Sequence, residues 1–490
     1  MALVEGIQNK AWLTHTPIHV HSMKELHEME GATPPGAGGP PEMAGGGMME
    51  LPDLPGGPDG PGFPPVPKDL TAAVWVDNGA ISEKSRTSAL HGGELTAEEG
   101  KLLRISTYDG KVGGVYVTGG DSNFTLEDAV ISINGDGSGM GLGGAISGAC
   151  ASDHGTLTLK NVQIITSGNG RSATAAEEHS ILRVYNSLLC SQGAPYGDDA
   201  PVERREKMGP PAALEILGNT RTHVTVTNSY SYFYDSTVIC DGWAALSTDA
   251  SEGFVYLEAN RTNVIATKSG YGAYADTFCH DYFNQCHFNV GSMAGIIAGE
   301  ADMTFRDCTC HCGTYFAFLH CVGGPPAQMA SCTVENGEIF TGSDAFTVRS
   351  HNADIILRRA RIHPGSGRLV HSFVNPDKNA TKTGGRTVYG VRVVIEEMDA
   401  AGDLIHEDPD RDMKITLRST TLKGAIQNAY LELDTGSRWF ATGDSTVTLL
   451  GNIDTTQLDA PEGVTITLTG KQDATEQLAS GGLLVCRAQK

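Results

Sequence analysis

Residues 263–276 read NVIATKSGYGAYAD, and this cadence returns along the chain. A short β-branched segment ends in a turn, and a Gly or Ser then leads six mostly small or apolar residues. The leader and its run recur as Gly242 with WAALST, Gly270 with YGAYAD, Ser292 with MAGIIA, Gly313 with TYFAFL, Ser343 with DAFTVR and Gly367 with RLVHSF. The spacings are 28, 22, 21, 30 and 24 residues. A second strand-like segment precedes each leader: STVICD, TNVIATKS, CHFNVG, CTCHC, GEIFTG and ARIHPGS. A third precedes several of those, as FVYLEAN, ADMTFRD and ADIILRR. Further copies of it are NFTLED, GTLTLKN, SILRVYN, HVTVTN at 223–228, MKITLRS, STVTLLG and GVTITLTG.

Each unit is therefore three strands of four to six residues, separated by turns rich in Gly, Asn, Asp and Ser. No interval between strands has room for a helix of about ten residues, which removes βαβ architectures. Hairpin folds would place two-residue turn signals between neighbouring strands, whereas here like segments return every third strand. Stacking like on like predicts an all-β, single-domain parallel β-helix with three strands per coil. About eleven to twelve coils fit between residues 72 and 470.

The six glycine- or serine-led segments, with NVIATKSGYGAYAD and ADMTFRDCTCHCG, resemble the right-handed parallel β-helix proteins of the pectate-lyase-like superfamily over about 400 residues. The resemblance implies a right-handed coil. It also implies a carbohydrate-directed lyase, hydrolase, epimerase or fructan-transforming enzyme, or a non-catalytic surface protein. A homo-oligomer, a trimer by the habit of that superfamily, is implied as well. No copy of a lyase calcium-and-arginine motif or of the polygalacturonase paired-Asp signature is found.

Alternation along a strand assigns faces. The third positions after each leader are Ala245, Ala273, Gly295, Phe316, Phe346 and Val370, and the fifth are Ser247, Ala275, Ile297, Phe318, Val348 and Ser372. These columns are expected inside. Tyr274, Asp276, Tyr315, Thr347, Arg349 and His371 are then expected on one outer patch, with Tyr271 in the same segment. Adjacent turns add Asp249, His280, Asp281, His320 and His351. Acid–base chemistry needs a proton carrier near neutral pKa and a cation for developing negative charge. In the expected site His320 or His371 moves the proton, Asp276 orients it or acts itself, Tyr274 is a phenolic acid and Arg349 an oxyanion clamp. Asp249, Tyr271, His280, Tyr315 and His351 are the expected substrate-binding residues. No metal or other cofactor is required.

The composition agrees with a folded, acidic protein. Thirty-five Lys and Arg against 58 Asp and Glu leave a net charge of −23, which argues against nucleic acid and anionic lipid as partners. A small-molecule or oligosaccharide substrate is the expected partner. No window is continuously apolar over membrane-spanning length. Residues 1–30 carry no basic-then-apolar leader, and the 11 Cys are oddly spaced for a disulfide framework, so reduced thiols and a cytoplasmic location are expected. Residues 31–67 hold 11 Gly and 11 Pro and are expected to form a linker or strap.

Cys308, Cys310 and Cys312, with Cys286, His287 and Cys321 nearby, suggest zinc at first sight. Alternate strand residues lie about 6.6 Å apart, wide for one tetrahedral ion. A buried thiol ladder, with Cys286 above Cys308, fits better. His19 and His21 form a weak His-x-His pair, and the glycines of 135–145 read as a long turn. Irregular insertions are expected at 194–211, which carries Arg204 and Arg205, and at 375–412. Residues 471–490 are expected to cap the last coil. Within the β-helix body at 68–470, the expected function is acid–base catalysis on a carbohydrate, glycoside or other small hydroxylated metabolite. The rival reading is a non-catalytic surface, adhesion or scaffold protein.

Overall fold

The computed structural model describes residues 69–137, 144–193, 220–249, 253–321, 325–376, 380, 385–451, 454–470 and 472–488. The strap, the His19–His21 pair, the insertion at 194–211 and much of the glycine run at 135–145 lie outside them. Among the described residues the chain is strand and turn, with two 3-10 turns, Thr87–Ala89 and Thr455–Gln457, and no α-helix. Among these residues no helix is long and apolar enough to cross a membrane.

The strands form a solenoid of parallel sheets, three strands to a coil. Sheet I carries the glycine- and serine-led segments: Ala244–Asp249, Tyr271–Ala275, Gly295–Ala298, Ala317–His320, Phe346–Arg349 and Arg368–Phe373 pair in that order. Sheet II runs through Val255–Asn260, Cys279–Asn284, Asp302–Arg306, Met329–Glu335 and Asn352–Arg358. Sheet III stacks Thr237–Cys240, Asn263–Ala266, His287–Val290, Thr309–Cys312, Glu338–Thr341 and Arg361–Pro364. All these pairings are parallel, between residues about one coil apart in sequence, as the repeat predicts.

A single residue makes the corner between sheets II and III. Asn161, Asn186, Asp235, Arg261, Gln285, Asp307 and Asn336 all adopt left-handed backbone, with φ between 44° and 54°. Asn and Asp tolerate that region best, which explains their recurrence at this turn. Each corner N–H reaches the next coil, as Asn161 N to Tyr185 O at 3.1 Å and Asn186 N to Tyr234 O at 3.0 Å. The Asn186 amide also donates to Asn161 Oδ1 at 2.7 Å.

The following residue folds its side chain back onto the carbonyl two positions earlier. Ser187, Ser236 and Thr262 do this with hydroxyls at 2.7, 2.8 and 3.1 Å. Cys286 and Cys308 do it with thiols at 3.4 and 3.2 Å. The cysteine cluster is thus part of a hydroxyl-and-thiol column. Cys310 stacks between Phe288 and Ile339 on the core side. All 11 cysteines are free and ten are buried. Burial holds the Cys310 thiol well above its ordinary value and pushes Cys312 up to about 12. The interior is filled by aliphatic columns and by an aromatic run in which Phe283, Phe305, Phe316 and Phe346 meet at 4.8–5.4 Å.

Four expectations are corrected. HVTVTN does not join sheet II: Arg221–Val226 pairs with Thr174–Ala176 and Ala244–Asp249 in sheet I, and Tyr230–Tyr234 is the sheet II copy. Two coils, led by Gly242 and Gly313, carry one extra residue before the strand. In register Leu246 and Thr248 therefore align with Ala273 and Ala275, and Ala317 and Leu319 with Gly295 and Ile297. Ser247 and Phe318, expected inside, thus stand on the outer face, because a one-residue slip exchanges faces. The described residues of 375–412 are largely regular: Thr387–Glu396 and the start of Arg411–Arg418 extend sheet II, Asp403–Glu407 extends sheet I, and Asp399–Ala401 opens a separate four-stranded parallel sheet with Thr421–Lys423. The C-terminal segment adds a strand as well as an end: Leu483–Arg487 extends sheet II in parallel, and Ala474–Gln477 folds back on it antiparallel.

Candidate functional site

Outward residues of sheet I form two adjacent columns. One runs Ser247, Tyr274, Ile296, Phe318, Thr347, His371. The other, two residues further along each strand, runs Asp249, Asp276, Ala298, His320, Arg349, Phe373, Glu407; Asp276 follows Ala275 and donates its backbone N–H to Thr248 O. Rungs are about 4.8 Å apart, so Asp249 and Asp276 are neighbours and Asp276 and His320 stand about 10 Å apart across Ala298.

At the lower rungs Arg221 is ion-paired to Asp249 and lies 4.2 Å over the Trp243 ring. Trp243, Tyr271, Met293, Ile296 and Phe318 pack into an apolar cluster outside the main core, with Tyr274 and Tyr315 against it. Tyr274 donates its hydroxyl to Asp276 Oδ2 at 3.2 Å. Thr277 N–H donates to Asp276 Oδ1 at 2.7 Å. Burial pushes the Asp276 carboxyl up to about 6, the Asp249 charge adds to the rise, and these hydrogen bonds restrain it. Burial also raises the Tyr274 phenol, with Asp276 next in effect. A carboxyl with that value exchanges its proton near neutral pH.

At the upper rungs aromatic rings and cations alternate. His320 stacks on Phe318 at 4.6 Å, and Arg349 lies 4.7 Å from the Phe318 ring and 5.3 Å from Phe373. His320 and Arg349 are paired rungs. His371 is held by two carboxylates, Asp344 at Nδ1, 3.2 Å, and Glu407 at Nε2, 3.1 Å. Its pKa is raised first by the Asp344 hydrogen bond. Burial works against ionised Asp344, yet hydrogen bonds from His371, Ser366 and Arg368 hold its carboxyl down to about 2. Carboxylates at both ring nitrogens favour the protonated form of His371, which leaves it no free lone pair to take a proton as a base.

Sheet I thus brings Asp249, Tyr271, Tyr274, Asp276, His320, Arg349 and His371 onto one face, and Tyr315 joins from the turn. Three expected residues fall elsewhere. His280 is on the outer face of sheet II, bonded to Asp302 and stacked 4.5 Å from Phe254. His351 is buried in a turn with Nε2 on Gly299 O at 2.7 Å, and burial pushes its pKa down to about 4, so it is a neutral structural ring. Asp281 points into the core and meets Thr248 Oγ1 at 2.9 Å. Arg221, Trp243, Asp344 and Glu407 were missed. Asp344 sits inside the quoted DAFTVR run and was legible there, whereas Arg221 was hidden by the misassigned HVTVTN strand.

No group of three or more His, Cys, Asp or Glu arranged for a metal is found among the described residues. No family model matches the chain, and no curated protein matches it.

Proposed function

We propose that the outer face of sheet I is the active site of an enzyme. It would perform proton transfer on a carbohydrate, a glycoside or another small hydroxylated metabolite. The observation that carries this reading is Asp276: a carboxyl lifted to about 6 by burial, hydrogen-bonded by Tyr274, one rung from an Asp249 tied to Arg221. Adjacent carboxyls in unlike surroundings are the arrangement that separates acid and base roles. Asp276 is assigned the proton transfer and Tyr274 its positioning. His320 and Arg349 stand beyond Ala298, two and three rungs from Asp276, where Arg349 meets negative charge developing on the substrate. His371 holds its end of the face through Asp344 and Glu407.

The reading extends to the superfamily resemblance and to a right-handed winding, the hand that parallel β crossovers adopt in nearly all cases. Ten buried, unbridged thiols support a reducing compartment. The test is to incubate the purified protein with a metabolite extract and follow which compounds disappear. Asp276→Asn, His320→Ala and Arg349→Ala should each slow the loss, and unchanged turnover in all three retires the assignment.

One observation favours the non-catalytic reading. Sheet II exposes clustered rings, with Tyr230, Tyr232, Phe254 and Tyr256 at centroid separations of 5.9–6.5 Å. Such a face suits adhesion, and a protein that consumes nothing but binds a glycan through those rings supports it.

A further inference from the structure

The strand Thr387–Glu396 loses register with Arg411–Arg418 between Thr387 and Val391. Val388, Tyr389 and Gly390 bulge there, and Tyr389 has φ 50°, a left-handed conformation rare for a bulky ring. Bulges re-aim side chains and cluster beside binding sites. This one walls a cleft of about 720 Å³ on the side of sheet II, away from the Asp276 face.

Met329, Asn352, Tyr389, Gly390, Arg392 and Lys414 carry the chemistry of that cleft. Its described lining has two cations and no carboxylate, in a chain of net charge −23. Arg392 pairs with Asp354 at 2.9 Å and Lys414 with Glu432 at 2.7 Å. All four side chains are partly exposed, so these pairs are weak and either cation can turn to a better anion. Lys414 Nζ also lies 5.8 Å from the Tyr389 ring.

Asn352 supplies an independent observation. It is 3% exposed, and its amide donates to Pro326 O at 2.9 Å and to Gln328 O at 3.1 Å. Its buried Oδ1 has no hydrogen-bond partner among the described residues. A Cβ placed on Gly390 would come within 2.8 Å of that oxygen, so no residue larger than glycine fits against this acceptor at the wall of the cleft. A buried acceptor left open calls for a donor.

We propose that this cleft binds a small hydroxy acid. Its carboxylate pairs with Arg392 and Lys414, a hydroxyl donates to Asn352 Oδ1, and its carbon chain lies against Tyr389 and Met329. Anion and hydroxyl are both required, because each satisfies a different group of the lining.

Titration calorimetry on the full chain tests this with four probes: gluconate, sorbitol, hexanoate and sulfate. Gluconate is expected to bind at one site, with affinity falling as salt rises, and the other three about tenfold or more weaker. Arg392→Gln and Lys414→Gln should each weaken gluconate about tenfold. Asn352→Leu and Gly390→Ala should reduce gluconate toward hexanoate. Melting curves confirm that each variant is folded, and Lys414, partly exposed with its ammonium on Glu432, gives a variant that leaves the core intact. Sulfate binding as tightly as gluconate would reduce the cleft to a plain anion site and overturn the proposal. So would gluconate binding that is absent, or that is indifferent to both cation variants. Turnover at the Asp276 face is unaffected in either case, so failure here leaves that reading standing.

Discussion

Two carboxyls of one coil, Asp276 beside the sheet I strand and Asp281 in the sheet II strand, carry the residue-scale argument. Asp276 faces outward and Asp281 inward. The Thr248 hydroxyl lies 2.9 Å from both Tyr274 O and Asp281 Oδ1, and a hydroxyl has one hydrogen to give. The conflict disappears if Asp281 is protonated and donates to Thr248, which donates to Tyr274 O. Burial holds the Asp281 pKa well above its ordinary value, in keeping with that pattern. In the unfolded chain Asp281 loses its proton near pH 4. The native state keeps it, so stability falls as pH rises through that point and goes on falling until the folded group titrates. Asp281→Asn keeps the donor to Thr248 and removes this loss. It should melt higher than wild type at pH 7.5, with a flatter dependence above pH 4; equal slopes would show Asp281 is not protonated in the fold. For Asp276, whose value is about 6, the same destabilising slope ends near pH 6. Activity should titrate with an apparent pKa near 6, and Asp276→Asn should remove that limb and cost about 100-fold or more in kcat/KM. A pH–rate profile of wild type and variant checks both.

At the scale of the element, the one-residue corner and the side chain after it set the coil. A β-branched residue in the left-handed corner pays steric strain that Asn avoids. Asn186→Val is expected to lose about 1–2 kcal/mol in urea unfolding, and Asn186→Gly clearly less. Cys286 occupies a place that Ser187 and Ser236 fill in other coils, with the same bond to the preceding turn. Cys286→Ser should therefore be close to neutral. Cys310→Ser, which puts a hydroxyl beside Phe288 and Ile339, should cost about 1–3 kcal/mol. Equal losses for the two would contradict the separate environments assigned to them. This corner was legible in outline, as recurring Asn and Asp between strands. Its one-residue sharpness was not, because Arg261 and Gln285 take the same backbone without any turn signature.

Over the whole molecule, parallel stacking hides chemistry that the sequence scatters. Ten of 11 thiols are buried and Cys486 is the partly exposed one. A thiol reagent should modify one cysteine readily in the native protein and all 11 after denaturation. Several fast thiols in the native state would contradict a tightly packed coil. The solenoid also decides which residues share a face, and here sequence reading went astray in particular places. His280 and His351 lie near the proposed site in sequence but belong to another sheet and to a buried turn.

The repeat of leader, strand and turn determined by itself that like segments stack in parallel, since that period leaves no room for helices and no hairpin signals. It also placed Tyr274, Asp276, Arg349 and His371 on one face, because alternation is local. Tertiary structure decided what alternation cannot see. A single extra residue before Ala244 and Ala317 turned Ser247 and Phe318 outward, and burial, with the Asp249 charge one rung away, raised Asp276. Register and desolvation depend on neighbours a full coil away, and no window of sequence contains them.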